Sequence, residues 1–166
     1  VSVRPVYLEP EILSEFESNI VLIFSGEKHA AADVLADQSK NIAEQVDLYR
    51  VCAELVLDFE KVISNGDFRE AGKCLRLMWN LKKRLSKLIV SDITTRMIDA
   101  GISLGAYGAK VMGAGGGGCV LFIAPPEKHE DIKRGVIGVA PHGKVIPVKF
   151  TQGGSEVIYT DHGEIR

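Results

Sequence analysis

The run Gly113-Ala114-Gly115-Gly116-Gly117-Gly118 is where this sequence concentrates its chemistry. Glycine loses more conformational entropy on ordering than any other residue, so such a cluster suits a backbone that must take positive φ or approach something very closely. Three readings fit. Bare N–H groups can form a nest for anionic oxygens, the loop can pack hard against a neighbouring one, or it can be a glycine hairpin with no ligand. The residues after it, Cys119 to Ala124, form a continuous apolar run closed by Pro125-Pro126, which predicts a buried strand. The residues before it, Gly108 to Met112, are short and mixed. A tight loop leading into a core strand is therefore expected. A Walker A loop needs GxxxxGK[ST] followed by a helix, and a dinucleotide fingerprint needs a strand before GxGxxG and a helix after it. Neither context occurs here.

Other residues could act beside the loop. Ser25 and Gly26 close an apolar run and could line a cleft, or form an ordinary strand-to-helix turn. Trp79 could stack on a sugar ring, but it sits beside an apolar stripe, which favours core or interdomain packing. Cys52, Cys74 and Cys119 are widely spaced on apolar stripes or in the apolar strand, and read as buried, reduced thiols. No CxxC or HxxxH spacing occurs and His29, His129, His142 and His162 are scattered, so no metal site is expected.

The elements that must position these residues follow from periodicity. Pro10 to Asn19 predicts a short helix with Pro10 near its start. Ile20 to Phe24 predicts a buried strand. From Ala30 to Ser64, the residues Leu35, Ile42, Val46, Tyr49, Cys52, Val56, Phe59 and Ile63 recur at the period of one buried helical face. That stretch is long for one helix, and a break near Asp47 is expected. Asn65-Gly66-Asp67 is a turn signal with Asp67 as N-cap. The helix after it carries Phe68, Ala71, Leu75, Met78, Leu81 and Leu85 on one stripe. Its other faces hold Arg69, Lys73, Arg76, Lys82, Lys83, Arg84 and Lys87, which reads first as a solvated charged surface. Asp92 to Leu104 predicts a helix with Gly105 near its end. Glu127 to Gly138 predicts another, Val145 to Phe150 a strand, and Val157 to Tyr159 a last edge strand. Long helical stretches against few strands predict an α+β domain with an antiparallel sheet, in a ferredoxin-like split arrangement with several helices packed on it.

The chain has 166 residues, 46% hydrophobic and 25% charged, and a net charge of −2. That is enough for one domain with a sizeable core. No global field favours nucleic acid or an anionic membrane, and no apolar run reaches the ~18 residues of a membrane span. A cytoplasmic protein is expected. The chain opens at Val1 without methionine and soon enters a core strand, which suggests a piece of something longer.

Taken together, KVMGAGGGGCVLFIAPPEK resembles the third conserved motif of the GHMP kinases, and is most like that of the heptose-phosphate and fucose-type sugar kinases. VRPVYLEPEILSEFESNIVLIFSG, ADVLADQSKNI, GDFREAGKCLRLMWNLKKRL and VIPVKFTQGGSEVIY are similar to further stretches of that branch, in the same order. The resemblance covers essentially residues 1–166. It implies the C-terminal α+β domain of such a kinase, which closes an active site against an N-terminal ATP-binding domain. Nothing like PxxxGLGSS occurs in this sequence, so the resemblance implies no catalytic residue here and no catalysis by this chain alone. The implied reaction moves the γ-phosphate of ATP to a hydroxyl of a sugar or sugar phosphate, with Mg²⁺ on the phosphates. ATP and Mg²⁺ would belong to the complete enzyme, bound weakly if at all by this chain. The run Gly113, Ala114, Gly115, Gly116, Gly117, Gly118 would pack against the phosphate loop of the other domain, and a β-carbon at the central glycines should clash with that approach. Lys82 and Lys83 match the branch's paired lysines and are expected near substrate. The turn after the first strand departs from Thr-Gly-x-x-Arg-x-Ser-Ser, reading Ser25-Gly26-Glu27-Lys28-His29-Ala30-Ala31-Ala32. Arginine grips phosphate in a bidentate manner and neutral histidine does not. His29 would then signal a different acceptor, such as an unphosphorylated sugar, with Lys28 as a partial substitute, unless the turn is only a helix start. The rival reading is a non-catalytic binding or regulatory domain on the same fold. A weaker third is an unrelated glycine-hairpin domain. A separated C-terminal half should also expose apolar surface and self-associate.

Overall fold

The computed structural model describes residues 4–28, 30–151 and 153. Its first helix, α1 (Pro10–Ser18), has proline in its first turn and buries Phe16. It leads directly into β1 (Ile20–Phe24). The long helical stretch is two helices, α2 (Ala31–Lys40) and α3 (Val46–Ser64), separated by a turn of 3₁₀-helix at Ala43–Gln45. The break lies just before Asp47. α4 (Phe68–Lys82) opens at Asp67, whose carboxylate accepts the Glu70 N–H at 2.9 Å. α5 (Asp92–Ser103) opens at Ser91, which forms a reciprocal capping box with Thr94. Gly105 follows α5 with φ of 107°. Then come β2 (Gly108–Val111), β3 (Cys119–Ile123), α6 (His129–Val139) and β4 (Lys144–Ile146).

The four strands form one antiparallel sheet in the order β2-β3-β1-β4. That order, with β1 and β3 central, is the expected ferredoxin-like split arrangement, its first crossover enlarged to hold α2 through α5. Val21 faces Phe122, which faces Ala109, and Ile23 faces Val120, which faces Val111. These six side chains line one face of the sheet and are buried beneath Met97 of α5 and Ile132 and Val136 of α6. A smaller cluster gathers Phe16, Phe68, Leu75 and Ile123 on the other face.

Four expectations need correction. The mixed segment before the glycines is a strand, β2, whose small Gly108 and Ala109 hide the usual alternation. Val145 to Phe150 pairs only over Lys144–Ile146, because Pro147 has no N–H for the ladder. The chain then turns to α1, where Lys149 pairs with Glu17 at 2.6 Å and the Phe150 ring stacks on Phe16 at 5.6 Å. The apolar stripe of α3 is not a buried face: Ile63 is buried, while Val46 and Val56 are exposed, since α3 packs chiefly against α4 and, among the described residues, no further layer covers it. Of the three cysteines, only Cys74 is buried; Cys52 and Cys119 are half-buried, and desolvation pushes all three thiols up. His29, His162 and the strand expected at Val157 to Tyr159 lie outside the described residues.

Candidate functional site

The glycine run is the loop of the β2–β3 hairpin. Gly113, Gly115, Gly116 and Gly118 have φ of 68°, 110°, 79° and 79°, conformations that side-chain-bearing residues adopt only at a cost. The loop is tied to its own domain at four points. Gly116 N–H donates to the Ile89 carbonyl at 2.8 Å, and Gly118 N–H to the Glu27 carbonyl at 3.0 Å. Ser25 N–H donates to the Gly118 carbonyl at 2.8 Å. Lys82 Nζ, from the end of α4, donates to the Gly113 carbonyl. A β-carbon on Gly115 would lie 2.9 Å from Ile89 Cα and O, whereas one on Gly113 or Gly118 would meet nothing within 4 Å. The need for glycine at position 115 thus already exists inside this domain.

The segment carrying Ile89 is itself anchored. Buried Ser86 accepts the Leu88 N–H at 3.0 Å and donates to Asp37 Oδ2 at 2.5 Å. Asp37 lies on α2, so α2, the 86–89 turn and the glycine loop are fixed relative to one another.

The loop faces a cavity of about 340 Å³ whose walls include Lys28, Ala31, Ala114, Gly115, Gly117 and Gly118. Ala31 is the first residue of α2, and its N-cap Ala30 offers no side-chain cap. The Asp33 N–H closes the first turn on the Ala30 carbonyl at 3.1 Å, and the helix start presents the positive end of the dipole to the cavity. The N–H groups of Gly115 and Gly117 make no backbone hydrogen bond among the described residues. Small residues, loop N–H groups, a helix start and Lys28 favour an anion here, with the Glu27 carboxylate in the same wall opposing it.

Sequence-derived site residues divide between this place and others. Lys28 and the glycine loop converge. Ser25 is buried and its hydroxyl accepts the Glu27 N–H at 3.1 Å, shaping the turn. Gly26, with φ of 87°, lets that turn approach His142, whose Cβ a side chain would meet at 2.6 Å. Lys82 and Lys83 diverge: Lys82 reaches the loop, while Lys83 lies 5.9 Å from the centre of the Trp79 ring. Trp79 is buried in the main core, and it and Lys83 border a separate cavity with Arg76 and Asp99. Three contributors escaped sequence reasoning. Ile89 supplies a backbone carbonyl, which leaves no sequence mark. Met112 joins the cavity wall. Lys110, on β2, is half-buried, and its only signal is a cation inside the segment leading to the glycines.

A glycine hairpin on a split antiparallel sheet defines a class when set beside known proteins. Residues 58–139 match the family model described as GHMP kinases C terminal, and the chain carries a GHMP kinase C-terminal domain. It is 26% identical over 156 residues to D-glycero-alpha-D-manno-heptose 7-phosphate kinase of Campylobacter jejuni, covering 93% of this chain and 45% of that protein. It is 23% identical over 139 residues to the bifunctional fucokinase/GDP-fucose pyrophosphorylase of Arabidopsis thaliana, covering 81% of this chain and 13% of that one. The chain thus spans less than half the length of either relative. The crystal structure of a D-glycero-D-manno-heptose 1-phosphate kinase from Bacteriodes thetaiotaomicron shares the fold, with a TM-score of 0.56 at 23% identity, over 88% of this chain and 37% of that one.

Proposed function

We propose that this chain is the C-terminal part of a cytoplasmic, ATP-dependent small-molecule kinase acting on a hydroxyl of a sugar or sugar phosphate. The observation that carries the reading is the glycine hairpin, held in left-handed conformations against Ile89 and opening on the start of α2. The names of the relatives support a heptose phosphate or fucose-like acceptor. In the proposed reaction the acceptor hydroxyl oxygen bonds to the γ-phosphorus of ATP, the bond to the β-phosphate oxygen breaks, and ADP and a proton leave. This chain's contribution is to border the transfer site and donate loop N–H groups to phosphate oxygens. Mg²⁺ would be held chiefly by phosphate oxygens and water, with one or two carboxylates; among the described residues no group of three or more His, Cys, Asp or Glu side chains could hold a metal. The phosphate loop and the ATP site belong, on this reading, to a partner N-terminal domain. The exposed apolar residues Val46, Val56 and Leu57 of α3 support contact with such a domain, or self-association without it.

The test is ATP-dependent ADP release by this chain and by the longer polypeptide that carries it, against heptoses, fucose and their phosphates. Turnover by the longer polypeptide alone is expected. A folded longer polypeptide that turns over none of them would refute the kinase reading in favour of a binding or regulatory domain.

A further inference from the structure

The glycine loop has a second cationic flank, away from Lys28. α4 runs alongside β2 from the point where Gly72 meets Gly108, so closely that a β-carbon on Gly108 would lie 1.8 Å from the Gly72 carbonyl oxygen. From Gly72 to Lys82 the helix advances about 15 Å at its usual rise. From Gly108 to Gly113 the extended chain advances about 16 Å. The two elements therefore stay level, and Lys82 arrives at the loop, where its ammonium meets the Gly113 carbonyl. Lys110 sits between these levels on β2, directly opposite Leu121, on the sheet face turned away from the main core. It borders an apolar groove of about 460 Å³ with Leu22, Cys119, Leu121 and Met112. Met112 is also in the wall of the Lys28 cavity, so the two spaces meet beside the loop.

The two lysines are electrically close. Partial burial, together with the charge of Lys110, lowers the Lys82 pKa to about 8. Cys52 of α3, whose thiol also feels Lys110, and Cys119, which lines the groove with it, are further titratable groups at this place. Among the described residues no carboxylate forms an ion pair with either lysine. Two other cations of α4 are engaged elsewhere: Lys73 pairs with Glu70 at 2.7 Å and Arg69 lies 5.7 Å from the centre of the Tyr107 ring, while Lys83, just past the helix, lies 5.9 Å from the centre of the Trp79 ring. Two half-buried ammonium groups that feel each other, one of them on the Gly113 carbonyl, repel, and an anion held between them would relieve that repulsion.

We propose that Lys82 and Lys110 form a seat for the phosphate group of a phosphorylated acceptor, beside the entry to the glycine loop. This rests on the kinase reading above and deepens it. In-line transfer needs the attacking and leaving oxygens on opposite sides of the moving phosphorus. The loop has Lys28 beside Glu27 on one flank and Lys82 with Lys110 on the other, so two ligands can approach each other across it. The Lys28 flank, at the start of α2, suits the nucleotide, and the paired lysines suit the acceptor. The groove beside Lys110 leaves room for the carbon skeleton that bears the phosphate.

The experiment titrates this chain with mannose 6-phosphate, with mannose and with ADP, following backbone amide shifts by NMR, in wild type and in Lys82→Met, Lys110→Met and Lys28→Met variants. Mannose 6-phosphate should shift the amides of Met112 and Gly113, and either of the first two variants should weaken it at least tenfold. Lys28→Met should leave it unchanged, and mannose should not bind. Lys82→Arg and Lys110→Arg should retain binding, which separates loss of charge from loss of fold. Unchanged affinity in both methionine variants would overturn the proposal. So would absence of binding in the wild type, or a loss confined to ADP, which would assign the lysines to the nucleotide. Failure of the kinase reading looks different: mannose 6-phosphate would still bind at the lysines while the longer polypeptide released no ADP.

Discussion

Replacing Gly115 with alanine asks whether the glycine loop is shaped from within this domain. The backbone there has φ of 110°, a region almost reserved for glycine, and a side chain in such a region costs about 1–3 kcal/mol. The new β-carbon would also stand 2.9 Å from Ile89 Cα, Cγ2 and O, none of which can swing away as a flexible side-chain end would. Overpacking of this kind adds about 1–3 kcal/mol. If the loop yields instead, the hydrogen bond from Gly116 to Ile89 is lost, worth about 1 kcal/mol net. Strain and overpacking together give a loss of about 2–6 kcal/mol. Gly113→Ala is the matched control, because its φ of 68° is the ordinary left-handed value and its β-carbon meets nothing within 4 Å. It should cost only about 1–2 kcal/mol. For a chain of this size each kcal/mol moves Tm by about 2–4 °C, so Gly115→Ala should melt several degrees below Gly113→Ala. Amide exchange gives an independent readout: the Gly116 N–H should lose protection in the first variant and keep it in the second. Equal melting temperatures with equal Gly116 protection would refute the claim that Ile89 sets the loop.

Two further outcomes follow from the same geometry. Alanine is a better helix former than glycine by about 1 kcal/mol, yet Gly72→Ala should lower Tm, because its β-carbon would lie 2.3 Å from Tyr107 Cβ and 2.7 Å from the Tyr107 carbonyl carbon; a rise in Tm on thermal denaturation would contradict the tight α4–β2 contact. The depressed pKa of Lys82, about 8, means that below pH 8 the folded state holds a charge it disfavours. Between pH 8 and the ordinary lysine value the unfolded state binds the extra proton, so wild type should gain stability relative to Lys82→Met as pH rises through that window. Lys110 and Cys52 face the same place and are present in both proteins, so the difference between their melting curves isolates Lys82; a difference that is flat from pH 7 to 10 would count against its buried setting.

Much of the frame was legible because local rules governed it. Asp67 and Ser91 cap the helices that they announce, and the apolar runs at Ile20 and Cys119 are the two central strands. Central strands are covered on both sides and read as continuous apolar stretches, whereas edge strands keep no such mark. That is why β2, rich in small residues, passed unseen, and why β4 was drawn too long past Pro147. The α3 stripe misled for a different reason. Periodicity reports which face a helix would bury, and burial itself needs a partner element; among the described residues α3 has chiefly α4 and the N-terminal segment.

The site was legible in its parts but not in its joins. The glycine run and the Ser25-to-Lys28 turn were separately visible, and the family resemblance picked out Lys82. What brings them together is tertiary: a parallel course of α4 and β2, set by Gly72 and Gly108, delivers Lys82 to Gly113, and a turn anchored by Asp37 and Ser86 delivers the Ile89 carbonyl to Gly116. These ties change what the glycines mean. If the loop were glycine-rich only to admit another domain, its bare positions would face outward and await that partner. Gly115 instead faces Ile89, while Gly113 and Gly118 need only their left-handed backbone. The loop is therefore ordered before any ligand arrives, and its entropy has been surrendered in folding rather than in binding. A preformed donor surface binds an incoming phosphate without the ordering penalty that a floppy loop would impose. On the proposed kinase reading, the domain would contribute rigidity to the transfer site, and Ile89 and Lys82 would serve it as directly as the glycines do.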